Sequence, residues 1–253
     1  MENTNNAIEL ESLEELSRKT WEIYKVGLWK FINLGLINLV GFIPFIIILV
    51  VFFISGMIFK DAVVGNVMNV ALGIFGIASL AFLVYLSLAT LIARYLLLKN
   101  FSNERKIIDL LKESTPYVGK MFWVSILTAG LLLLWFLCLV IPALIFGVYY
   151  AFATYVLVFE DISGMDAIKR SKELVKGRWF QVFLRLAAVN VAIYIFFLIL
   201  GIPSDIIKDT KFLYYSWNLI ILILRILVSP IPFIFTYFIY KDLVKKFASE
   251  KVN

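Results

Sequence analysis

The sequence predicts an all-α polytopic membrane protein, with six transmembrane helices in three hairpins and amphipathic cytoplasmic helices. Three observations carry that expectation. Hydrophobic residues make up 62% of the 253-residue chain and mean hydropathy is +0.93, far above the roughly 45–50% apolar content of a soluble domain. The apolar residues gather into runs close to the ~20 residues that cross a bilayer core. Of the 24 Lys and Arg residues, all but Lys60, Lys208, Lys211 and Arg225 fall on one side of the layout those runs define. That asymmetry marks a cytoplasmic face and puts both termini there, in a multi-pass protein of the cell (cytoplasmic) membrane.

In chain order, residues 1–26 read as a cytoplasmic N-terminal tail and amphipathic helix. Leu10, Leu13, Leu16, Thr20 and Tyr24 share one side of it. Glu9, Glu11, Glu14 and Glu15 lead and Arg18, Lys19 and Lys25 trail, the order a helix dipole favours. This acidic start has no short apolar core before a cleavage site, so the first span itself is expected to direct insertion. Residues 27–240 form the membrane domain, with spans at Phe31–Ile54, Val70–Ala93, Met121–Val140, Ala143–Phe159, Phe180–Leu200 and Tyr215–Phe238. The third and fourth form one apolar run too long for a single crossing, so a tight turn is expected at Ile141-Pro142. Residues 241–253 are a basic cytoplasmic tail.

Polar residues inside the spans are few: Asn38, Thr90, Ser125, Thr128, Asn190, Asn218 and Arg225 are the main ones. Such hydroxyls and amides mostly bond neighbouring helices. Small residues from Ala71 to Ala81 suit close packing of the second span. Gly119-Lys120-Met121-Phe122-Trp123-Val124 parallels Gly177-Arg178-Trp179-Phe180-Gln181-Val182, with a looser copy at Gly27-Leu28-Trp29-Lys30-Phe31. Either three helix-plus-hairpin units repeat, or each inner membrane boundary simply wants a base and an aromatic ring.

The most informative hydrophilic stretch is Glu160–Val182. Ser163 followed by Asp166 is a capping-box pattern, with the hydroxyl expected to take a first-turn N–H. Ala167, Ile168, Ser171, Leu174 and Val175 fall on one helical stripe, and charged residues occupy the rest. Gly177 supplies the left-handed residue that ends such a helix, and Trp179 and Phe180 sit where rings anchor a chain at headgroup level.

Several of these residues carry a resemblance. Ile141-Pro142, an aromatic-rich span, Glu160-Asp161, Ala167-Ile168-Lys169-Arg170-Ser171 and Leu174-Val175-Lys176-Gly177, with the close Tyr240-Lys241-Asp242-Leu243-Val244-Lys245, form the pattern. It resembles the membrane domain found before some glycerophosphodiester phosphodiesterases, and related stand-alone six-span proteins. The second half matches well and the first half in layout; Pro142-Ala143 stands where that family usually has Pro-Gly. The resemblance implies a six-span membrane domain. It does not carry the phosphodiesterase activity over, because the soluble catalytic domain is not in this sequence.

The residues themselves argue against catalysis. There is no histidine, and the one cysteine, Cys138, lies in an apolar run. A disulfide within one chain, a Cys/His zinc cluster and a Ser–His nucleophile are excluded. The spans hold no Asp or Glu to relay protons, and the glycines are scattered rather than gathered into a phosphate loop. The expectation is therefore no enzyme, no cofactor and no nucleic-acid partner.

Two function classes fit. The first is a scaffold or accessory protein engaging anionic lipid headgroups or a membrane protein partner, with Lys169, Arg170, Lys172 and Lys176 as candidate lipid-surface residues. The second is a small transporter or channel with a polar site near Arg225. Candidate anion- or lipid-binding residues are Arg225, Asn190 and Asn218. Arg225 lies deep in the sixth span with no carboxylate in any span to pair with it. Pro230 and Pro232 cannot donate to the carbonyls of Ile226 and Val228. Those carbonyls either satisfy the guanidinium or leave it lining a polar cavity between the fifth and sixth spans.

Overall fold

A computed structural model describes residues 10–58, 62–99, 101, 105–207 and 209–250. Regular structure among them is helical throughout. The helices are α1 (Leu13–Ile58), α2 (Ala62–Lys99), α3 (Ile107–Cys138), α4 (Val140–Tyr150), α5 (Ala153–Phe159), α6 (Gly164–Val175), α7 (Trp179–Ile206), α8 (Lys211–Val228) and α9 (Pro230–Glu250). Six stretches are long and apolar enough to cross a membrane: Leu13–Val51, Val70–Lys99, Ile107–Leu137, Val140–Phe159, Trp179–Ser204 and Lys211–Glu250. This fits a multi-pass membrane protein. The readings that fall on residues 1–9, Lys60 and Lys208 lie outside the described residues.

Two helices run longer than the sequence suggests. α1 carries the expected N-terminal helix and the first span without a break, with Pro44 in its interior. Gly27 alone, worth roughly 1 kcal/mol against Ala, does not stop a helix. α3 begins at Ile107, ahead of the third span expected from Met121, and contains Pro116. At a membrane boundary an unbroken helix keeps its backbone bonds satisfied within itself.

The breaks also fall at other places. α3 and α4 separate at Leu139, whose φ of −166° and ψ of 146° are extended, rather than at Ile141-Pro142. Pro142 sits in the first turn of α4, where its missing N–H removes no intrahelical bond. The fourth span is interrupted a second time, between Tyr150 of α4 and Ala153 of α5. The sixth breaks at Ser229, and Pro230 takes the first position of α9, which suits its fixed φ.

The chain divides into two compact units, Asn33–Gly119 and the combination of Met1–Ile32 with Lys120–Asn253. In the first, Leu34, Ala89, Ile92, Ala93, Leu97 and Leu110 are buried. There the Thr90 hydroxyl lies 3.0 Å from Asn38 Oδ1, uniting two of the polar span residues. Gly35 lets the Arg94 side chain pass close, since an added Cβ would sit 3.0 Å from its guanidinium nitrogen.

In the second unit the buried core lies around α5, α6 and α9, with Phe152, Val156, Leu157, Leu174, Ile234, Ile239 and Leu243 inside. An aromatic seam joins α5 to α9. Tyr155 stacks on Phe233 and Tyr240 at 6.0 and 5.5 Å between centroids, and Phe159 meets Tyr237 at 5.4 Å. The Tyr155 hydroxyl donates to the Phe233 carbonyl at 3.0 Å. Along α3, α7 and α8, by contrast, large side chains such as Leu137, Ile199 and Phe212 are exposed, as lipid-facing surfaces require.

Candidate functional site

α6 is built from its ends inward. Gly164 opens it at φ +66° and Gly177 follows it at φ +83°, left-handed values that suit glycine. Ser163 occupies the N-cap with extended backbone, but its hydroxyl makes no capping bond, so the expected capping box is not formed. Asp161, itself at φ 54°, instead accepts Lys120 Nζ at 3.0 Å. The residues α6 buries are Ala167, Ile168, Ser171, Leu174 and Val175, the stripe its periodicity predicts, and it packs on α4, α5 and α9.

Ser171 reaches the α4–α5 break. Its Oγ accepts the Phe152 N–H at 3.2 Å and donates to the Tyr149 carbonyl at 2.7 Å. The side chain is fully buried. One hydroxyl thus supplies the bonds that the interrupted helix lacks.

The four candidate bases divide. Arg170 turns inward: its Nε donates to Glu160 Oε2 at 2.8 Å, and its guanidinium lies 4.3 Å from the Phe247 ring centroid. The other Glu160 oxygen accepts the Tyr240 hydroxyl at 2.9 Å. A planar guanidinium that stacks and donates at once suits this position, and a lysine would not do both. Lys169, Lys172 and Lys176 are exposed. Lys169 pairs with exposed Asp166, and Lys172 Nζ lies 5.5 and 5.9 Å from the ring centroids of Phe146 and Tyr149.

A clasp on the N-terminal segment went unread in the sequence. Arg185 donates to the carbonyls of Leu10 (2.9 Å) and Glu11 (2.8 Å). The Glu11 N–H donates to buried Asp242 at 2.7 Å, and Lys19 Nζ bonds both Glu11 oxygens at 2.7 Å. Lys241 and Lys245 join Glu11, Lys19 and Asp242 around a cavity of about 210 Å³. Arg178, also buried, pairs with Glu250. Asp242 was the available signal, an acid between the bases Lys241 and Lys245 of the closing helix.

Arg225 stands in the last turn of α8, exposed along a groove against α7. With Asn218, Ser204, Gly201 and Phe197 it lines a cavity of about 350 Å³. Its guanidinium lies 5.6 Å from the Phe197 ring centroid. The Ile226 carbonyl takes the Ser229 hydroxyl at 2.9 Å, and the Leu227 carbonyl takes Tyr24 at 3.1 Å. Asn218 shares this cavity with Arg225, whereas Asn190 does not. Asn190 lines a separate apolar groove of about 700 Å³ between α3, α4 and α7 and donates to the Leu186 carbonyl at 2.7 Å.

Together these features define an all-helical protein with six helices fit to cross a membrane, a basic exposed helix face and a polar cavity between two of its apolar helices. The chain matches no protein-family model, no curated protein and no solved structure.

Proposed function

We propose that this is a non-catalytic scaffold or accessory protein of the cell membrane that engages anionic lipid, or a partner bearing the same charge, through α6. The observation that carries this reading is the division of α6: its whole apolar stripe is buried, while Lys169, Lys172 and Lys176 remain outside. In the arrangement proposed, the spans pair as three hairpins with both termini cytoplasmic, because the basic residues gather on that side.

Each lysine near an anionic surface contributes about 1 kcal/mol, screened by salt. The protein carrying Lys169→Gln, Lys172→Gln and Lys176→Gln should therefore retain less phosphatidylglycerol than wild type when both are extracted from mixed phosphatidylglycerol–phosphatidylcholine vesicles at low salt. The difference should shrink at high salt. Equal retention at low salt would refute a lipid role for this face. Flux of a small anion through the same vesicles would favour the transporter alternative.

A further inference from the structure

We propose that the cavity between α7 and α8 binds a phosphate group, with Arg225 as its charge partner and Asn218 and Ser204 as polar contacts. The site is separate from the α6 face and does not depend on it.

Two matched stripes build it. Phe197, Gly201 and Ser204 follow one another at helical spacing on α7, and Asn218, Ile221, Leu222 and Arg225 do so on α8. Trp217 holds the helices together beside the cavity, its indole N–H donating to the Leu200 carbonyl at 3.0 Å. Gly201 leaves the middle open: a Cβ placed there meets nothing within 4 Å.

The polar groups lining the cavity are under-supplied with partners. Among the described residues the Arg225 guanidinium makes no hydrogen bond or ion pair, only its contact with the Phe197 ring. It carries five donors. The Ser204 Oγ is buried without a partner among the described residues. Asn218 uses one amide proton on the Tyr214 carbonyl at 2.9 Å, which leaves the second. Among the described residues no acid lines the cavity. What is missing is an acceptor with several oxygens and a negative charge, and phosphate meets a guanidinium in that way. Asn218 and Arg225 are about 10 Å apart along the helix axis, and the Ser204–Asn218 end lies nearest the α7–α8 connection. That length suits a headgroup with its phosphate at Arg225 or a free anion; the chemistry of recognition is shared.

Thermal unfolding of the purified protein in a neutral detergent tests this, with phosphatidic acid, the matching diacylglycerol or inorganic phosphate added. Phosphatidic acid should stabilise wild type more than diacylglycerol, which lacks only the phosphate. Arg225→Leu should weaken the apparent affinity about 10- to 150-fold, the range for one charged hydrogen-bonding partner. Gly201→Leu should do the same by filling the cavity while keeping the charge and improving helix propensity. The triple Gln variant of α6 should keep the full response. If inorganic phosphate reproduces the response, the ligand is a free anion; if only phosphatidic acid does, it is a lipid. Equal responses to all three additions in wild type would overturn the site. So would a full response retained by Gly201→Leu, since an arginine that merely reached bulk headgroups would not need the cavity. Gly201→Leu decides the matter even if Arg225→Leu fails to fold.

Discussion

Ser171→Ala isolates the joint that positions α6. The hydroxyl lies fully buried and serves two backbone groups of the α4–α5 break, the Phe152 N–H at 3.2 Å and the Tyr149 carbonyl at 2.7 Å. Alanine removes the acceptor and leaves the Phe152 N–H buried and unpaired, because Phe152 itself is fully covered. Leaving one such group unsatisfied costs about 1–3 kcal/mol. The oxygen's departure opens little space, so the cavity contribution is small. A loss of about 2 kcal/mol follows, which is roughly 30-fold in the folding equilibrium. Reversible unfolding in mixed micelles, titrated with a denaturing detergent, measures it. Thr115→Ala is the control: Thr115 is exposed, its hydroxyl only 3.4 Å from the Leu111 carbonyl, and such surface changes stay within about 0.5 kcal/mol. If Ser171→Ala and Thr115→Ala destabilise equally, the break is not held by that hydroxyl and the reasoning fails.

Two further outcomes are expected. Asp242→Ala should speed amide hydrogen exchange at Glu11 roughly 10- to 100-fold, because the N–H loses its charged acceptor; unchanged exchange would show that the clasp does not hold the segment. In a Cys138→Ser background, cysteines at Lys60 or Lys208 should react in intact cells with an impermeant thiol reagent, and cysteines at Lys106 or Lys172 should not. The reverse labelling pattern would invert the proposed topology.

What the sequence made legible was whatever is periodic. The α6 stripe from Ala167 to Val175 could be read because one residue in three or four must be apolar for a helix to lie on its neighbours. The spans could be read because a bilayer sets their length. The breaks could not be read so closely. Pro142 and Pro230 announce that a helix begins nearby, yet proline is tolerated through the first turn, so the break can precede it by several residues. The α4–α5 interruption has neither glycine nor proline at Tyr150–Ala153, and its partner is a serine on the following helix. The four bases of α6 look alike in sequence; Arg170 differs only because Glu160 and Phe247 are folded beneath it. Arg225 and Asn218 line one cavity. Asn190 lies on α7 against α3 and α4 and lines their separate groove, a placement that sequence spacing does not reveal.

The clasp on the N-terminal segment also sets a timetable for biosynthesis. Glu11 bonds a residue 231 positions later, Leu10 one 175 positions later and Tyr24 one 203 positions later. At roughly 5–20 residues per second, the partners of α1 leave the ribosome about 10–50 s after it does. During that interval the Glu11 backbone and the Tyr24 hydroxyl must be served by water, lipid headgroups or the insertion machinery. α1 is made before the other described helices yet is among the last to be completed, and a nascent chain halted before Arg185 would present its N-terminal segment unclasped.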